Sequence, residues 1–329
     1  MTKPKQSEAA DLKPLSRTKA RLVDASVVIY GESATKKDAA FIARELIQAT
    51  LPHKSPGNVP VWTRKNGNIS LIVQQGYDRT GTPYGYPFGT VPRLLLFWMT
   101  TEALRNKSKE NPRRLELGHS LNEFMRELGL NPDNGSLGAK RSDARRLTEQ
   151  MTRLFNATIS FEAEGSKDGA SVVARRNMTV ADDIMFWWDK KSPNQTTLWG
   201  SYIELNQRFF DALTTAPVPV DIRALRALKN SALALDLYSW LTYEAYRSHK
   251  SGKPRFETWA QLQEHLGGEY ARLDNFRTKA KAALTKIKAV YPNLKLGERA
   301  GGIQVLPESL PAMQPREAVT LDGKASVIR

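Results

Sequence analysis

Large apolar residues recur at helical spacing through most of this chain, broken by short stretches in which they alternate. Ala39, Phe41, Ile42, Leu46 and Ile47 predict an amphipathic helix over 36–50. Residues 51–67 hold three prolines and two glycines and read as loop. Ile69-Ser70-Leu71-Ile72-Val73-Gln74 is a short strand by its β-branched and apolar content. Residues 81–92 set Tyr84, Tyr86 and Phe88 among glycines and prolines, the pattern of an ordered connector.

From residue 93 onward the pattern repeats. Trp98-Met99-Thr100-Thr101-Glu102-Ala103-Leu104-Arg105 matches Trp240-Leu241-Thr242-Tyr243-Glu244-Ala245-Tyr246-Arg247 at five of eight positions, 142 residues apart. Each octet lies inside a longer helical pattern, starting near Arg93 and Ala232. A second match follows, 120–129 with 258–267, offset by 138. Ser120 and Thr258 suit a helix N-cap, and Gly129 and Gly267 suit its end. Apolar residues fall at the same three positions, Leu121, Phe124 and Leu128 against Trp259, Leu262 and Leu266. Chance could supply either match alone, but two in the same order indicate duplicated units.

Each second element leads through a loop to a basic helix. Ala144, Leu147, Met151, Leu154 and Phe155 form the apolar stripe of the first, and Phe276, Ala280, Ala283, Leu284, Ile287 and Val290 that of the second. A hairpin is predicted after each, over 157–163 and 170–175, then over 294–298 and 303–306. Helix, short helix, basic helix and hairpin is the order of a winged helix-turn-helix. The fold expected is therefore α+β, with two tandem winged helix-turn-helix domains. Residues 1–35 would be a mostly disordered basic arm, 36–90 an extension, 91–210 and 211–312 the two domains, and 313–329 a flexible tail. Pro217 and Pro219 would stiffen the linker between two separate cores.

Charge sharpens this reading. Lys and Arg number 49 against 34 Asp and Glu, a net charge of +15 that calls for an anionic partner, with nucleic acid the leading class. The polar face of the first basic helix offers Ser142, Arg145, Thr152 and Arg153 beside Glu149, flanked by Lys140, Arg141 and Arg146. The second offers Asn275, Thr278, Lys281, Ala282 and Thr285, flanked by Arg277 and Lys288. Arg and Lys read guanine, Asn reads adenine, and Thr or Ala packs on thymine methyls in the major groove. Lys167 and Arg299 would add contacts from the two hairpins. The first helix, rich in arginine, suits phosphate clamping, and the second suits base reading. A solvated basic face is the rival explanation of each helix, and it would have to apply twice.

Other chemistries find little support. The chain has no cysteine, and its four histidines never form a metal-binding spacing. Gly135-Ser136-Leu137-Gly138-Ala139-Lys140-Arg141-Ser142 has a glycine-rich look but not the spacing of a nucleotide-binding loop. Asp182-Asp183 would point to opposite faces of a strand. Phe186-Trp187-Trp188 reads as core or inter-domain packing. No run of 18 apolar residues occurs. A non-enzymatic cytoplasmic protein with no cofactor, no metal and no membrane contact is expected.

Val91-Pro92-Arg93-Leu94-Leu95-Leu96, the 120–129 and 146–161 segments, Phe186-Trp187-Trp188-Asp189, Pro217-Val218-Pro219-Val220-Asp221 and Ala232-Leu233-Ala234-Leu235-Asp236-Leu237-Tyr238 resemble the plasmid-encoded RepA replication initiator family. The resemblance covers about residues 70–305 and rests on packing and turn residues. It implies binding to repeated double-stranded origin sites (iterons), opening of the duplex, contacts with the host initiator and replicative helicase, and a homodimer off DNA. A transcriptional regulator or autorepressor built from the same folds remains the alternative.

Overall fold

The computed structural model describes residues 16–133, 142–167, 170–187, 200–267 and 269–313. Within it the chain forms α1 (Arg17–Gly31), a 3-10 turn (Lys36–Asp38), β1 (Ala39–Ala43), α2 (Arg44–Gln48), β2 (Trp62–Asn66), β3 (Ile69–Gln74) and α3 (Thr90–Arg105). Next come β4 (Arg114–Gly118), α4 (Leu121–Glu127), α5 (Asp143–Phe155), β5 (Thr158–Lys167), β6 (Ala170–Thr179), β7 (Ala181–Met185) and β8 (Ser201–Leu205). The remainder is α6 (Gln207–Thr215), β9 (Pro217–Asp221), α7 (Ile222–Leu228), α8 (Ala232–Ser251), β10 (Arg255–Thr258), α9 (Trp259–Leu266), α10 (Leu273–Ala289) and β11 (Gly302–Val305). The strands make small antiparallel sheets: β1-β9, β10-β11, β2-β3-β5-β6 and β4-β8-β7.

The repeated octets make repeated contacts. The Thr100 and Thr242 hydroxyls donate to the carbonyls one turn back, at Leu96 (2.8 Å) and Tyr238 (2.9 Å). Glu102 pairs with Arg105 at 2.6 Å, and Glu244 with Arg247 at 2.7 Å. Trp98 packs edge-on against Phe124 and donates to Glu127, while Trp240 meets His265, which occupies the position matching Glu127. All three apolar positions of each second element are buried. Gly129 holds φ +71°, where a side chain is strained, and this turn lets the Leu130 amide donate back to Met125 at 2.7 Å.

Several expectations are corrected. Helix α1 occupies half of the segment read as a disordered arm: Ser16 accepts from the Lys19 amide, and Leu22, Ala25 and Ile29 pack on the core. Residues 1–15 lie outside the described residues. The helix expected over 36–50 is instead the strand β1 and the short α2, because all five β1 residues are buried against β9. Tertiary pairing there overrides helical periodicity. That partner is the segment read as a proline linker. Phe41 faces Pro219, and its amide donates to the Thr101 hydroxyl on α3 at 2.9 Å.

The second hairpin is also reduced. β11 pairs with β10, and 294–298 contributes an isolated bridge, Leu296 to Val305, with the Gly297 amide donating to Gln304. Phe186 and Trp187 are not core: they are 40% and 47% exposed, with Phe186 stacked on Phe155. Trp188 and Asp189 lie outside the described residues.

Instead of two separate cores, and apart from a small second cluster of Ala39, Phe41 and Met313, one contiguous cluster takes buried apolar residues from both units. At its centre, Arg93 of α3 makes a two-bonded pair with Asp236 of α8, both contacts 2.7 Å. The same guanidinium donates to the Leu51, Pro52 and Gly89 carbonyls. His53 Nε2 lies 2.8 Å from Asp236 Oδ2, the oxygen that also accepts from Arg93 Nη2, and the His53 amide donates to Glu269, which also pairs with Arg64. The first helices of the two units are thus joined by a buried ionic knot.

Candidate nucleic-acid interface

Helix α10 turns Phe276, Ala280, Ala283 and Ile287 into the core. Asn275, Arg277, Thr278, Lys281, Ala282, Thr285 and Lys288 are all exposed on the remaining face. Thr278 and Thr285 donate to the Asp274 and Lys281 carbonyls, at 2.9 and 3.2 Å. Their own helix therefore fixes these hydroxyl protons. Among the described residues, Arg277, Lys279, Lys281, Lys286 and Lys288 form no ion pair with any carboxylate. An unpaired array of this kind carries its charge outward at full strength.

Helix α5 has the same buried stripe, through Ala144, Leu147, Met151, Leu154 and Phe155, but its cations are engaged. Arg145 pairs with Glu149 at 2.8 Å and Arg146 with Asp143 at 3.2 Å. Both pairs are exposed enough to be weak, so a stronger anion could displace them. Thr152 is half-buried and donates to Thr148.

Two predicted contacts belong elsewhere. Ser142 is fully buried and caps the helix by accepting from the Arg145 amide at 3.2 Å. Arg153 points away from the outer face: Nε donates to the Tyr84 carbonyl at 3.1 Å, and the guanidinium lies 5.1 Å from the Phe88 ring centre. It secures the 84–88 connector, an attachment that helical spacing cannot reveal. Lys140 and Arg141 lie outside the described residues, and so does the Lys167 side chain at the tip of the β5–β6 hairpin. Arg299 is exposed beside the β10–β11 sheet, 3.9 Å over the Phe256 ring.

Arg175 and Arg176, which the sequence did not single out, are exposed on the ten-residue strand β6, Arg175 donating to Asn177 at 3.0 Å. Asp182 is occupied by Arg113 at 3.1 Å and Asn206 at 2.9 Å. Among the described residues no group of His, Asp and Glu side chains could hold a metal ion, and no helix is long and apolar enough to cross a membrane.

The family model described as plasmid encoded RepA protein matches residues 86–261. The fold is similar to a crystal structure of selenomethionine derivatives of domains 2 and 3 of RctB, at 12% identity and a TM-score of 0.47, covering 80% of this chain and 97% of that one. A second crystal structure of RctB domains 2-3 is similar at 11% identity and a TM-score of 0.44, covering 79% and 94%. No curated protein sequence matches the chain.

Proposed function

Given that the chain belongs to the plasmid-encoded RepA replication initiator family, we propose that it starts plasmid replication by binding iterons at the origin through two tandem winged-helix units. The observation that carries this reading is α10: a helix that ends a repeated helix-turn unit and presents five unpaired cations with Asn275, Thr278, Ala282 and Thr285 between them. Short side chains reach base edges, and the surrounding lysines reach phosphates. In this reading α10 supplies most of the sequence discrimination. Helix α5, whose arginines already pair with neighbouring carboxylates, holds the backbone in an adjacent groove. Duplex opening, engagement of the host initiator and helicase, and a dimer off DNA belong to the same proposal. The protein acts by binding rather than by bond chemistry.

The test is a gel-shift titration against direct repeats of about 20 bp, two helical turns, from beside the gene. Lys281→Glu with Lys288→Glu should abolish specific binding while circular dichroism stays unchanged, since both side chains point away from the core. If 6–10 phosphates are engaged, wild-type affinity should fall by roughly 10³–10⁵ between 50 and 200 mM salt. Undiminished affinity in the folded double variant would remove α10 as the reader.

A further inference from the structure

Three cations from two distant stretches of the chain, Arg21 and the Arg226/Lys229 pair, come together near the turn that ends α4. Arg226 lies on the last turn of α7 and Lys229 just beyond it, both against the turn that ends α4. The Lys229 ammonium donates to the Gly129 carbonyl, and the Arg226 Cγ stands 3.1 Å from where a Gly129 side chain would begin. Arg21 lies on α1, which packs on α7, and is near enough for its charge to act on Lys229. Arg21 and Arg226 are exposed and Lys229 is half-buried.

Among the described residues none of the three forms an ion pair with a carboxylate. Asp143 faces Lys229 but pairs with Arg146, while Asp38 near Arg226 accepts from Thr35 and lies 4.0 Å from Arg223. Burial, and next the charge of Arg21, holds the Lys229 ammonium below its ordinary range, with Arg226 adding to the effect and Asp143 opposing it. Three cations so placed repel one another until an anion joins them.

The position of the cluster indicates which anion. Helix α1 leads from Arg21 to Tyr30, whose hydroxyl donates to the Lys288 carbonyl at the end of α10 (3.3 Å). Nine residues of helix span about 14 Å, roughly four phosphate steps of one strand at 3.4 Å each. At the other end lies the first turn of α5, where Asp143 faces Lys229. Resting on the DNA-binding reading above, we propose that Arg21, Arg226 and Lys229 form a third phosphate-binding site, which grips the DNA backbone between the two basic helices.

The full-length protein and a random-sequence 30-bp duplex test this, because a phosphate grip is independent of sequence. Arg21→Gln with Arg226→Gln removes two counter-charges without touching the bond from Lys229. The slope of log K against log salt should become shallower by about 1.8, and affinity at 0.1 M salt should fall about 60-fold if K at 1 M is unchanged. Arg226→Lys alone should keep the slope. Lys109→Gln, which lowers net charge elsewhere, should also keep it. An unchanged slope in the folded Arg21→Gln/Arg226→Gln variant would overturn the third site and leave α10 binding intact. An equal loss with Lys109→Gln would overturn it as a mere net-charge effect. A wild-type protein that binds no duplex would overturn both readings together.

Discussion

Replacing Asp236 by alanine should be among the most damaging single changes available in this chain. The carboxylate accepts both bonds from Arg93 and lies 2.8 Å from His53 Nε2, and the two side chains of the pair are 4% and 7% exposed. Removing it leaves a guanidinium buried with only the Leu51, Pro52 and Gly89 carbonyls for company. Breaking a buried pair from one side costs about 3–5 kcal/mol, a large share of the ~5–15 kcal/mol that keeps a domain folded. Arg93→Met should cost a similar amount, because it strands both the carboxylate and those three carbonyls. The double variant should then lose clearly less than the sum, since each single change already forfeits the pair. Urea unfolding followed by tryptophan fluorescence gives all four corners of the cycle. The pair also joins α3 to α8, so the wild type should unfold in a single transition that Asp236→Ala broadens or splits. Additive costs, or a single-variant cost under about 1 kcal/mol, would show that the knot does not hold the units together.

Two further outcomes follow from the structure. Burial lowers the pKa of His53 against the opposing pull of Asp236, with the charge of Arg93 helping to lower it, so the native ring stays neutral where an unfolded histidine, near 6.5, takes up a proton. Its contribution is complete above about pH 6.5 and declines as pH falls below that, by up to about 1.4 kcal/mol per pH unit; urea midpoints at pH 7.5 and 5.5 should differ, and His53→Gln should narrow the gap. Arg153→Ala should cost about 1–2 kcal/mol by releasing the Tyr84 carbonyl, yet leave gel-shift affinity within about twofold of wild type. A large affinity loss in that variant would return Arg153 to the DNA face.

How much of this was legible beforehand depends on the range of each interaction. The repeated octets, both basic helices and strand β3 rest on local periodicity and appear as read. The first hairpin also forms, but its strands are longer than read and pair through Gly165, Ser166 and Lys167, which the sequence pattern assigns to the turn. Strand β1 was misread because alanine, phenylalanine and isoleucine suit either a buried strand or a helix. Its partner, nearly 180 residues away, decides between them. The Arg93–Asp236–His53 knot left no local trace, since its members come from separate elements, and nothing local brings Arg21 to the Arg226/Lys229 pair at the end of α7. Ser142 and Arg153 sit at the right angle on a helical wheel, but a wheel omits the buried N-cap and the connector lying over one edge.

Strand β1 also bears on how the protein is made. Residues 39–43 leave the ribosome some 174 residues before 217 does, so at about 5–20 residues per second the apolar ribbon waits roughly 9–35 s for its mate. During that interval it is a strand edge without a ladder, the kind of surface that holdase chaperones cover and that aggregates recruit. The same arithmetic applies to dissection. A fragment beginning at 211 keeps β9 and α10 but loses the strand that sheathes β9. Supplying residues 39–43 in trans, as a synthetic peptide, should raise its solubility.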